Sequence, residues 1–421
     1  MTTLQERYET ARERYTKVGV DVDKALEEAA KIRLSMHCWQ GDDVIGFDQK
    51  GPLTGGIQTT GNYPYKATTP EELMQDIEKV FTYIPGKGHK LNLHASYAIF
   101  DGPDAWVDRD ALEPRHFAKW VDFAKAHDLG LDFNPTMFSH PKANAQLGTL
   151  SASDEEVRQF WIRHCIACIR ISEYFAEETG QPCMMNIWIP DGVKDVPGDR
   201  IRARKRLKAS LDQILQTDYD QSKVYIAVES KVFGIGVESE TVGSHEFYMN
   251  YANANNILCL IDTGHFHPTE VVADKLSSML LFHDKLALHV SRPIRWDSDH
   301  VTIFNDDLRE LAQQIVTTGP EHYFIGMDYF DASINRIAAW TTGMRSMEKA
   351  LLYAELLPNE KLADLQDAHD FTQIQALYER MKVLPFGDVW DYYCEQNGVA
   401  AEDDWFADCQ QYEKEVLSKR A

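Results

Sequence analysis

The chain has 421 residues, 44% of them hydrophobic and 26% charged, the balance of a globular protein long enough to bury one large core. Lys and Arg number 43 against 66 Asp and Glu, a formal net charge of −23. A surface that negative repels phosphate backbones and anionic bilayers, which argues against nucleic acid and membranes as partners and leaves a small neutral substrate as the expectation.

Residues 2–17 are charged and helical in pattern, with no apolar segment before a small-residue cleavage site, and no apolar run approaches the length of a membrane span. A cytoplasmic protein is therefore expected. The seven cysteines are scattered. Cys165 and Cys168 have the spacing of a redox or zinc pair, but they fall inside a predicted helix with no second pair. Buried, reduced thiols are the expectation.

Taken in order, residues 2–32 read as a helix and 34–39 as an apolar strand. A polar, Gly-rich loop follows over 40–64, holding Thr54-Gly55-Gly56 and long enough to act as a lid or rim. Helices are then predicted over 70–83, 114–127, 154–178 and 200–216, leading to strands over 91–97, 129–134, 185–191 and 224–229. The second half gives strands over 257–262, 286–290 and 323–328, with helices near 269–282 and 306–317. These strands are too apolar to have one face in water. Eight such strand–helix units close into a parallel (β/α)8 TIM barrel, an α/β fold whose chemistry collects at the C-terminal ends of its strands.

After residue 347 the pattern is helical only and rich in aromatics, including Trp390, Trp405, Phe406 and Tyr412. The chain thus divides into 1–347, a barrel with an N-terminal helix, and 348–421, a helical C-terminal arm. The arm is expected to wrap a neighbouring subunit; the alternative is an extra helical layer on its own barrel.

Nearly every predicted strand ends in a polar residue: His37, His94, Asp132, Asp191, Glu229, Asp262, His289 and Asp328. A lone strand-end Asp is usually a helix cap, but the last four come from consecutive strands and can converge on one point. Three carboxylates and one imidazole suit a hard divalent ion such as Mn2+. His265, Asp297 and Asp299 lie one loop further out and can hold a second ion, with Asp262 bridging. Lys231 follows Glu229 by two residues, so strand alternation puts both on one side. Its ammonium can polarise a substrate oxygen, or can simply pair with a ligand carboxylate.

At these residues the chain resembles the L-rhamnose isomerases over essentially its full length. The likeness is carried by the stretches 35–43, 131–135, 186–192, 228–231, 262–270, 289–293, 295–300 and 330–336. It implies a cytoplasmic, homotetrameric aldose–ketose isomerase that converts L-rhamnose to L-rhamnulose with two Mn2+ ions per subunit, Co2+ or Zn2+ being possible at one of them. It further implies that Glu229, Asp262, His289 and Asp328 hold a structural metal, and that His265, Asp297 and Asp299 hold the catalytic one. Lys231 and Asp328 are the implied catalytic residues, and His94 and Trp188 are taken as substrate contacts. A hydride shift and a base-made enediol both fit these residues. A related metal-dependent isomerase or a sugar 3-epimerase acting on another aldose or ketose is the alternative.

Overall fold

The computed structural model describes residues 2–48, 59, 61–102, 105–143, 148–231, 239–294, 297–401 and 404–420. Much of the predicted lid or rim loop, Thr54-Gly55-Gly56 included, lies outside the described residues, as do Arg295 and Trp296.

Eight parallel strands form a closed barrel: β1 (Leu34–His37), β2 (Lys90–His94), β3 (Gly130–Asn134), β4 (Cys183–Ile187), β5 (Val224–Glu229), β6 (Leu258–Asp262), β7 (Leu286–His289) and β8 (Tyr323–Met327). Each strand pairs with its sequence neighbours and β8 returns to β1, with Met36 opposite Met327. Strand alternation sorts the side chains into two shells. Ile226 and Val228, Cys259 and Ile261, and Leu286 and Leu288 belong to the large core shared with the outer helices. The intervening Met184, Ala227, Leu258, Leu260 and Ala287 form a separate small cluster inside the barrel.

The helices differ from expectation at identifiable places. The N-terminal helix is two, α1 (Leu4–Thr16) and α2 (Val22–Ala29), because Gly19 turns the chain at φ +91° and Asp21 caps a new start. The helices α3 (Pro70–Phe81), α4 (Ala118–Ala126), α5 (Glu155–Thr179) and α6 (Ile201–Ile214) stand where periodicity places them. Thr69 and Asp154 cap α3 and α5, and Gly180 at φ +68° ends α5. The reading in sequence order has no element between β5 and β6, yet α7 (His245–Asn255) fills that place, burying Tyr248, Tyr251 and Ala252. Next come α8 (Val272–Leu280), α9 (Asp306–Thr318) and α10 (Arg336–Glu355). All seven cysteines are free and buried, and burial pushes the Cys165 and Cys168 thiols up. No described helix is long and apolar enough to cross a membrane.

Beyond the barrel lie α11 (Asn359–Asp367), α12 (Phe371–Lys382), α13 (Phe386–Gln396) and α14 (Asp404–Glu415). The helices α1 and α2 share a second apolar core with α11–α13, in which Tyr8 stacks on Tyr392 at 3.7 Å. The predicted division after residue 347 falls inside α10. That helix packs Trp340 and Met347 into the barrel core and Leu352 and Tyr353 into the second one. Residues 404–420 lie against their own barrel. Asp408 accepts from Lys79 (2.6 Å) and Tyr83 (2.8 Å), and Trp405 packs against the Tyr83 ring. Phe406 is 46% exposed.

The tail is fastened by one buried pair. Arg420 grips both Asp76 oxygens at 2.6 and 2.7 Å, and Tyr412 donates to the same carboxylate at 3.0 Å. Removing one partner of such a pair strands the other charge in a dry site. Arg420→Met is therefore expected to lower stability by about 3 kcal/mol in urea unfolding, with the m-value unchanged. A loss below about 0.5 kcal/mol, the level of an exposed pair, would show that the tail rests on the surface.

Candidate metal centre

The same alternate positions that put Ala227, Leu260 and Ala287 inside the barrel put Glu229, Asp262 and His289 at its C-terminal mouth. Asp262 stands in register with His289, and Asp328 directly follows β8. Two glycines make the room. A Cβ on Gly326 would sit 2.8 Å from the His289 ring, and one on Gly264 would sit 2.9 Å from Asp297 Oδ1.

One ligand atom from each of Glu229, Asp262, His289 and Asp328 lies within 4.8 Å of the others, and all four residues are buried. His289 Nδ1 is 3.1 Å from Glu229 Oε1 and 2.9 Å from Asp328 Oδ2. Asp262, His265 and Asp297 form a second such group. His265 Nε2 is 2.9 Å from Asp297 Oδ2 and 3.9 Å from Asp262 Oδ2, which in turn lies 4.0 Å from His289 Nδ1. Asp262 Oδ2 thus stands between the two groups. Asp299 lines the same cleft but is not among the atoms that converge; its backbone sits at φ +43° and its carbonyl accepts from the Phe330 amide at 3.0 Å.

The charge balance is one that a cation would relieve. Burial drives Asp262 well above the usual carboxylate range, with Asp297, Glu229 and Asp328 adding to the push against the lowering effect of His265. Asp299 and Asp328 are also raised, burial first, by neighbouring carboxylates. Burial lowers the His265 imidazole, but Asp262, Asp297 and Glu229 outweigh it and hold it up at about 10. His289 is raised in the same way by Glu229 and Asp328. Asp297 Oδ1 is buried without a hydrogen bond among the described residues, and Asp297 Oδ2 and Asp328 Oδ1 have imidazole nitrogens of His265 and His37 as neighbours. Unsatisfied buried carboxylate oxygens beside neutralisable imidazoles fit a hard divalent ion.

The other predicted residues fall in two sets. His94 lines the cleft, stacked on Trp39 at 4.2 Å, and Trp188 lines it edge-on to Phe138 at 6.0 Å. Lys231 is buried beyond β5, where its Nζ donates to the Pro190 carbonyl at 2.9 Å. Two strand-end expectations need correction. Asp132 lies in the middle of β3 and pairs with Lys90 at 2.8 Å. Asp191 lies past β4, which ends at Ile187, and holds the backbone and hydroxyls of Thr149 and Ser151.

Several lining residues carry no signal in a single chain. Asn186 donates to Glu229 Oε2 at 2.5 Å, and His37 Nδ1 sits 3.2 Å from Asp328 Oδ1, steadying two candidate ligands from behind. Trp39, Thr136, Met137 and Phe138 form one side of the cleft. His37, at a strand end, was visible in kind; Met137 and Phe138 look like ordinary loop residues.

A family model described as L-rhamnose isomerase (RhaA) matches residues 2–420. An L-rhamnose isomerase of Listeria innocua is 52% identical over 423 residues, covering 100% of this chain and 99% of its own. One of Salmonella paratyphi A is 50% identical over 422 residues, covering 100% of both. Among solved structures, L-ribulose 3-epimerase aligns with a TM-score of 0.45 and 10% identity, over 78% of this chain and 98% of that one.

Imidazoles must be neutral to bind a metal, so binding at this centre releases protons and tightens as pH rises. With His265 held at about 10, adding Mn2+ to the metal-free protein at pH 7 is expected to release at least one proton per chain. A titration in weakly buffered solution measures it; uptake, or no release despite binding, would contradict the assigned ligands.

Proposed function

The chain belongs to the L-rhamnose isomerase family, and from that premise we propose that it interconverts L-rhamnose and L-rhamnulose as a Mn2+-dependent aldose–ketose isomerase. The observation that carries the reading is the shared carboxylate of Asp262, placed between two buried ligand groups on the floor of one cleft. Glu229, Asp262, His289 and Asp328 would hold the inner ion, and His265 and Asp297, with Asp299 from the same cleft, would hold the outer one. Their donors, carboxylates and imidazole only, suit Mn2+, with Co2+ or Zn2+ able to replace it at one site. The bound ions supply Lewis-acid polarisation of the sugar oxygens at C1 and C2.

The chain's own groups do the rest. Trp39, Phe138 and Trp188 wall the cleft with aromatic carbon and exclude water from the reacting carbons. His94, fixed by Trp39 on one face and by His37 at 3.2 Å, orients a sugar hydroxyl. Asp328, lining the cleft beside His37 and His289, exchanges a proton with substrate oxygen. Lys231 brings a fixed ammonium to an oxygen that gains negative charge. A homotetramer and a cytoplasmic setting belong to the same proposal. The adjacent Leu281 and Phe282, 81% and 72% exposed, support burial against another subunit.

Incubation of the protein with L-rhamnose and Mn2+ is expected to yield a ketose, detected as L-rhamnulose. Chelation is expected to abolish turnover with little change in circular dichroism, and Mn2+ to restore it. Full activity after confirmed metal removal would overturn the reading. Lys231→Met keeps the side-chain stem and removes the charge, so kcat is expected to fall about 100-fold or more, with KM changing less. A near wild-type kcat would make Lys231 a purely structural residue.

A further inference from the structure

The loop after β3 forms one side of the cleft through Thr136, Met137 and Phe138, yet its backbone is not relaxed. Thr136 and Ser139 sit at φ +56° and +51°, the left-handed region that non-glycine residues occupy at a cost and keep only when their surroundings hold them there. What holds them is a guanidinium buried behind the wall. Arg109 is 2% exposed. Its Nη1 donates to the carbonyls of Thr136 and Phe138, the latter at 2.8 Å. Its Nε donates to Asp48 Oδ2 at 2.7 Å, and its Nη2 lies 3.4 Å from Asp48 Oδ1.

Asp48 is itself tied down, its amide to the Ser96 carbonyl at 3.1 Å and its own carbonyl to Trp106. From the other side, the His164 ring on α5 sits between two carbonyls, with Nδ1 2.7 Å from that of Arg109 and Nε2 2.5 Å from that of Pro135, and donates to one of them. One planar cation therefore joins the loop after β1 to the loop after β3. Phe138, at the end of the clamped segment, stands between Trp39 and Trp188 at 6.4 and 6.0 Å.

We propose that Arg109 is a positioning residue that sets substrate selectivity. By pulling the Thr136 and Phe138 carbonyls outward, it fixes Met137 and Phe138 as the wall against the end of the sugar remote from the metals. This rests on the isomerase reading of the cleft. Arg109 touches neither substrate nor ligand carboxylates. Its loss should therefore alter which sugar fits, while leaving metal binding and the reacting end intact. Lysine cannot replace it, because a single ammonium lacks the rigid fork that meets a carboxylate and two carbonyls at once.

The test compares wild type with Arg109→Lys on L-rhamnose and on L-mannose, which differs by a hydroxyl on C6. Expected are a rise of about tenfold in KM for L-rhamnose and a fall of at least fivefold in its kcat/KM preference over L-mannose. Expected too are two bound ions and a kcat within about threefold of wild type. A lower melting temperature with unchanged KM and preference overturns the proposal, and so does an equal loss of metal. Asp48→Asn, nearly isosteric, is the second variant should the first fail to fold, and a smaller shift in the same direction is required of it. Should the wild-type enzyme turn over no aldose, the isomerase reading falls. Backbone amide exchange over 136–140 then still decides the clamp: it must quicken in the variant with the barrel strands unchanged, and equal exchange overturns it.

Discussion

The structure is organised around a concentration of like charge in a dry place. Glu229, Asp262, Asp297 and Asp328 are all buried at the mouth of the barrel, where the imidazoles of His265 and His289 lie among them. Asp262 is raised by burial and by its carboxylate neighbours, and those carboxylates hold protons on the histidines, so the centre gathers groups under mutual repulsion. Such a set persists only if something stiffer than the repulsion holds the side chains in place. The closed barrel does this: with every strand hydrogen-bonded on both sides, no edge is left to splay.

The two ends of the barrel interior handle polarity differently. Towards the N-terminal end the lumen is filled by Met184, Ala227, Leu258 and Ala287, with Lys90 and Asp132 paired at 2.8 Å and the Lys90 ammonium over the Phe324 ring. There each charge has its own partner inside the protein. At the C-terminal end Asp297 Oδ1 is buried without a hydrogen-bond donor among the described residues, and the carboxylates outnumber the imidazoles beside them. Unsatisfied buried oxygens raise the energy of the chain alone and lower it when a cation arrives.

Around this core the supports are layered. His37 and Asn186 steady candidate ligands from within the lumen, and Arg109 braces the apolar wall from behind. Gln40 bonds both the amide and the carbonyl of Asp331, tying the first loop to the last. The helix α10 belongs to two cores at once, so the C-terminal helices are built onto the last barrel helix. The tail then returns to α3 through Arg420 and Asp76.

The barrel and the metal-binding residue types were legible in the chain because each rests on local pattern. Apolar runs of strand length recur between amphipathic helices, and Glu229, Asp262 and His289 sit where those runs stop. A family likeness carried by whole stretches such as 262–270 did the same for function. What stayed hidden depends on parity and on distance in space. Asp132 and Glu229 both interrupt apolar runs, yet the first lies mid-strand beside Lys90 and the second at a strand end beside His289. The helix α7 was missed because its Tyr248, Tyr251 and Ala252 make only a narrow apolar stripe. Arg109 lies 27 and 29 residues from the carbonyls it grips and 61 from Asp48, so its role exists only once the barrel has closed. Sequence alone determined which chemistry the protein can carry. Tertiary structure decided which of the chemically competent residues face one another, because register and loop packing, not residue type, set those distances.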